Sequence, residues 1–127
     1  MVSFAGEVGI DIERMRCDRD LYGIAARAFG PLECAEVAAE GCPRFYAIWT
    51  LREAVAKALG LGLAAVADGR DRVAGVGSAG FQPLSIDGEP WHVLQQTHGK
   101  ELSLAVALRG NAGTLHRPVL RWWFDEP

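Results

Sequence analysis

Apolar and polar positions along this chain follow two different periods. From Ile48 to Leu63 the sequence IWTLREAVAKALGLGL has helical spacing. Trp49, Glu53 and Lys57 are four apart, which at 3.6 residues per turn puts them on one stripe. Ala54, Val55, Ala58 and Leu59 supply the apolar side, and Gly60 and Gly62 the stop. Val8 to Glu13, VGIDIE, is short and β-branched and reads as a strand. Asp11 and Glu13 then share one face, about 6.6 Å apart along the chain. Ile10 and Ile12 point the other way and are expected in the core.

The pattern continues with further elements. Asp18 or Asp20 caps a helix over about 21–29, with Ile24, Ala25, Ala28 and Phe29 as its apolar side. Gly30-Pro31 breaks it and opens a second helix to about Ala39. Gly41-Cys42-Pro43 breaks again before the long helix through Leu59. Residues 68–80 are rich in glycine and charge and read as a mobile loop. Strands are expected over 81–86, 91–97 and 101–108, with turns at Asp87-Gly88 and His98-Gly99-Lys100. Val119 to Phe124, with Trp122 and Trp123, reads as an aromatic strand in the core or in a contact between subunits. The expected class is α+β: a small antiparallel sheet packed against about three helices, in one domain over residues 1–127.

Composition narrows the function. Half of the 127 residues are hydrophobic, enough for a core without a membrane-like run. A formal charge of −3 does not suit a general nucleic-acid binder. There is no basic-then-apolar leader. Cys17, Cys34 and Cys42 lack metal-ligand spacing and read as reduced thiols of a cytoplasmic protein. His92, His98 and His116 form no ligand pattern and read as surface or turn residues.

The acids carry the chemistry. Taken alone, Glu53 and Lys57 are an ordinary helix ion pair, worth about 0.2–0.5 kcal/mol. Asp11 and Glu13 alone are a solvated edge neutralised by Arg14 or Arg16. Taken together, Asp11, Glu13 and Glu53 are hard oxygen donors for Mg²⁺, with Lys57 one turn away to meet a phosphate.

Both stretches resemble the 4′-phosphopantetheinyl transferase superfamily. The first half of that signature is Gly9-Ile10-Asp11-Ile12-Glu13. The second is Trp49-Thr50-Leu51-Arg52-Glu53-Ala54 followed by Lys57, with 42 residues from Asp11 to Glu53. Phe29 and Glu33 fit the family's Phe-x-x-x-Glu feature. Arg52 stands where the family usually has lysine. The match is closest to the C-terminal half of surfactin-type enzymes, in a chain the size of the short holo-acyl-carrier-protein synthases.

The resemblance implies Mg²⁺-dependent transfer of the phosphopantetheine arm of coenzyme A onto a serine of an apo acyl or peptidyl carrier protein, releasing 3′,5′-ADP. It implies Asp11, Glu13 and Glu53 as metal ligands and Glu53 as the base. Lys57 would steady the phosphates and the leaving group, with Arg52 in support, either near the phosphates or in contacts behind the residues that touch them. Surfactin-type enzymes are about twice as long, so a homo-oligomer, trimer or dimer, is expected with the site at the subunit boundary. Candidate cations from a neighbouring subunit are Arg14, Arg16, Arg44 and Lys100. The alternative is a non-catalytic homologue that binds coenzyme A or a carrier protein. A Nudix-like reading of Arg52-Glu53-Ala54 fails because Ala56 and Lys57 stand where that motif needs glutamates.

Overall fold

A computed structural model describes residues 7–62 and 67–110. Strand β1 (Val8–Arg14) is followed by helices α1 (Leu21–Ala28), α2 (Pro31–Glu40) and α3 (Cys42–Leu59). Three strands follow, β2 (Gln82–Ile86), β3 (Glu89–His98) and β4 (Leu102–Arg109). With β1 they form one antiparallel sheet of order β1-β4-β3-β2, so β1 pairs with β4, the last strand among the described residues. The architecture is the α+β fold that the pattern predicted, with α3 lying along the sheet. The expected aromatic strand and His116 lie outside the described residues.

The helix ends follow local chemistry. The Asp20 carboxylate accepts from the Gly23 N–H at 3.1 Å and caps α1. Pro31 opens α2, where it removes a donor that has no helical partner. Gly60 ends α3 in the left-handed region at φ 69°, which glycine enters without a Cβ penalty.

The packing of α3 reverses one expectation. Ile12 is 60% exposed and Ile10 only half-buried, whereas Asp11 is 5% exposed. The acidic side of β1, not the isoleucine side, meets the helix. Gly9 explains this: a Cβ there would stand 1.8 Å from the Ala54 carbonyl oxygen and 2.7 Å from the Ala58 nitrogen. The register sets Gly9, Asp11 and Glu13 opposite Ala107, Ala105 and Ser103, all three fully buried. Small side chains on both strands thus make a shallow bed in which α3 lies close to the sheet. Ile10 packs instead on the far face with Leu94, Val106, Leu108 and Phe81.

Two further expectations change. The glycine-rich stretch is tied down rather than loose: Val73 and Val76 are buried. Asp71 accepts from the Leu32 and Glu33 N–H groups and caps α2 from a distance. Glu33 accepts from the Arg72 and Val73 N–H groups, and Glu36 from that of Gly75. Cys17 and Cys42 are joined in a disulfide, with Cα atoms 5.5 Å apart, and only Cys34 is free. Spacing in sequence did not reveal that the turn after β1 comes back to the start of α3.

Candidate active site

The contact between β1 and α3 gathers the acids and the amine. The Lys57 ammonium donates to Asp11 Oδ1 at 2.8 Å and to the Ile10 carbonyl at 3.3 Å. Asp11 Oδ2 is buried and has no hydrogen-bond partner among the described residues. A buried carboxylate oxygen left unpaired is uncommon and asks for a donor or a cation. Burial pushes the Glu53 carboxyl above its ordinary value, and Asp11 and Glu13 add to the rise while Lys57 opposes it. Burial likewise raises Glu13, helped by Asp11 and opposed by Lys57, the Trp49 side-chain hydrogen bond and Arg19. The hydrogen bond from Lys57 to Asp11 raises the lysine, partly offset by its own burial. Repulsion among acids and attraction to one amine place the four side chains in a common field.

These donors suit a hard divalent cation in kind: three carboxylates, one with a free buried oxygen. The arrangement is not a closed ligand set. Among the described residues no three His, Cys, Asp or Glu side chains are positioned to hold a metal ion, and Lys57 occupies one Asp11 oxygen.

Arg52 is elsewhere. The helix stripe that presents Glu53 and Lys57 to β1 turns Arg52 inward, where its side chain is fully buried. It donates to Glu33 at 2.8 Å, Asp68 at 3.0 Å and the Ala28 and Arg70 carbonyls, and it lies 5.5 Å from the Phe29 ring centroid. Of the two expected placements, these contacts fit the one behind the site rather than the one beside the phosphates: Arg52 ties α3 to α2 and to the 67–76 loop. Phe29 and Glu33 belong to the same structural group. Arg44 is also engaged, with Glu36 and the Val76 carbonyl. Lys100 is exposed in the β3–β4 turn.

A pocket of about 380 Å³ opens beside Glu13. Arg14, Arg16 and Arg19 form one wall, and Tyr46 and Trp49 line it from α3. Trp49 stacks on Phe45 at 6.0 Å, so it is partly core and partly pocket lining. Arg19 was not singled out in the sequence; the signal was the Arg-x-Arg-x-x-Arg spacing after an acidic strand. A larger hollow, about 560 Å³, lies on the β2–β3 hairpin between Pro83 and Pro90 and has no acid or lysine among its described lining residues.

Three acids and a lysine thus meet at the strand–helix contact of this α+β unit. The chain belongs to the 4′-phosphopantetheinyl transferase superfamily, whose family model matches residues 7–107. That family uses coenzyme A and acts on carrier proteins. No curated protein matches the sequence. No helix among the described residues is long and apolar enough to cross a membrane.

Proposed function

We propose that this chain, folded as one domain, transfers the 4′-phosphopantetheine arm of coenzyme A to a serine of an apo acyl or peptidyl carrier protein with Mg²⁺. The observation that supports this most is the Asp11–Lys57 pair at 2.8 Å, with Asp11 Oδ2 unpartnered and Glu13 and Glu53 beside it. Asp11, Glu13 and Glu53 would hold the cation. When bound, it would neutralise the diphosphate and favour charge build-up on the leaving oxygen.

The residues have separable tasks. Glu53 accepts the proton of the serine hydroxyl, and its raised carboxyl makes it a stronger base than an exposed glutamate. The serine oxygen bonds to the pantetheine-side phosphorus as the bond to 3′,5′-ADP breaks. Lys57, with its ammonium on Asp11, is within reach of a phosphate oxygen brought to that carboxylate. Arg14, Arg16 and Arg19 offer positive charge to the anionic substrates along the pocket wall. A second copy of the chain completes the remaining contacts to coenzyme A, in a dimer or trimer.

The test is a mass-shift assay with apo carrier protein, coenzyme A and Mg²⁺. The parent adds one phosphopantetheine arm, and Glu53→Ala and Asp11→Ala lose nearly all transfer. A second reading, a module that binds coenzyme A or a carrier without transfer, is favoured by the lack of a closed ligand set among the described residues. A parent that binds coenzyme A but is inert toward a panel of apo carriers supports that reading.

A further inference from the structure

We propose that the Cys17–Cys42 bond is a redox-operated clasp that positions the arginine wall of the pocket beside Glu13. Three observations meet here. Cys17 sits in the turn after β1, between Arg16 and Arg19, which both line the pocket. Cys42 is the first residue of α3, the helix that brings Tyr46 and Trp49 to the same pocket. The disulfide therefore joins the two sides of the pocket directly.

Little else holds that turn to the helix. Tyr46 Oη donates to the Arg16 carbonyl at a long 3.4 Å. Arg16 pairs with its near neighbour Asp18 only at 4.0 Å, with both side chains more than half exposed. The Asp20 cap and the Leu21 N–H to Arg19 bond are local to the start of α1. At the strand end, the Met15 N–H bonds the Glu101 carbonyl. Between Met15 and Asp20 the covalent bond is the principal tie to α3, so opening it frees the backbone that carries Arg16 and Arg19.

Cys17 is exposed, so a thiol can reach the bond. A dithiol reductant opens it by exchange, leaving thiols on Cys17 and Cys42 and its own sulfurs as a disulfide. A small disulfide such as oxidised glutathione closes it, taking two electrons and two protons and leaving as two thiols. Cys34 stands apart, with its Sγ donating to the Ala25 carbonyl at 3.2 Å.

The experiment uses the full chain in oxidised and reduced forms, with the Cys17→Ser/Cys42→Ser double variant as a permanently open reference. Alkylation in denaturant should label one thiol before reduction and three after it. Limited trypsin digestion, read by mass spectrometry, should cut after Arg16 and Arg19 about tenfold faster in the reduced protein and the double variant, with other sites, Arg14 in β1 included, unchanged. Uniformly faster cutting everywhere, the same rates at Arg16 and Arg19 in oxidised and reduced protein, or three labelled thiols before reduction overturns the clasp.

A second readout rests on the transferase reading. Reduction should raise KM for coenzyme A by about three- to tenfold while kcat stays within about twofold. An unchanged KM overturns the positioning role. Absence of transfer in both forms refutes the transferase reading alone, and the digestion then decides the clasp.

Discussion

Gly9 and Ala54 touch backbone to backbone: a Cβ on Gly9 would lie 1.8 Å from the Ala54 carbonyl oxygen. The next residue along α3 is Glu53 on one side, and two residues along β1 is Asp11. Gly9 is required here for the space it leaves, and its lack of a side chain sets how near α3 comes to the acids.

Gly9→Ala should therefore lift α3 from β1 and part Lys57 from Asp11. The expected loss of stability is about 1–3 kcal/mol, the usual range for overpacking a well-filled contact. Urea unfolding measures it. Transfer activity should fall further than the folded fraction does, because the clash is against backbone that cannot rotate away.

Glu53→Gln should abolish transfer yet make the protein more stable at neutral pH. Burial, with help from Asp11 and Glu13, raises the Glu53 carboxyl in the folded state. The folded chain then holds that proton to higher pH than the unfolded chain does. Parent stability thus falls as pH rises from the ordinary glutamate range through the raised folded value. The variant lacks this loss, so the two melting temperatures should coincide in acid and separate toward neutrality, with the variant higher. Parallel curves would show that neither burial nor the neighbouring acids raise the Glu53 carboxyl in the folded chain.

Arg52→Met should cost about 3–5 kcal/mol, because it leaves Glu33 buried without its cationic partner. Denaturant unfolding reads this directly. Arg52→Lys keeps one charge but loses the fork that reaches Glu33, Asp68 and two carbonyls at once. That variant should be less stable, with KM for coenzyme A unchanged; a raised KM would put Arg52 back beside the phosphates.

Lys57→Met should weaken coenzyme A binding and leave both Asp11 oxygens without a donor. Mg²⁺ should then raise the melting temperature of the parent and change that of Glu53→Gln much less. Chelation by EDTA should reverse the shift in the parent. Calorimetric scans with and without Mg²⁺ test both statements.

The sequence was most readable where a feature depends on periodicity within one element. Four-residue spacing put Glu53 and Lys57 on one stripe, and alternation put Asp11 and Glu13 on one face. Caps and breakers at Asp20, Gly30-Pro31 and Gly60 bounded the helices within a residue or two. The motifs pointed to a family that the match over residues 7–107 bears out. Other features depend on which surfaces meet, and there local pattern misled. Hydrophobicity sent Ile12 inward, but small residues at Gly9, Ala105 and Ala107 drew the helix to the opposite face.

By itself, then, the sequence determined the order and type of the described elements, which are written in short-range spacing, and the family, which is written in two short motifs. Only the tertiary structure decided that Arg52 turns inward to Glu33, that Cys17 meets Cys42, and that three arginines wall a pocket beside Glu13. Those pairings join residues 19 and 25 positions apart or distant elements, and they follow from how closely α3 can lie on the sheet. That closeness is set by side-chain volume at a few buried positions, which no local period encodes.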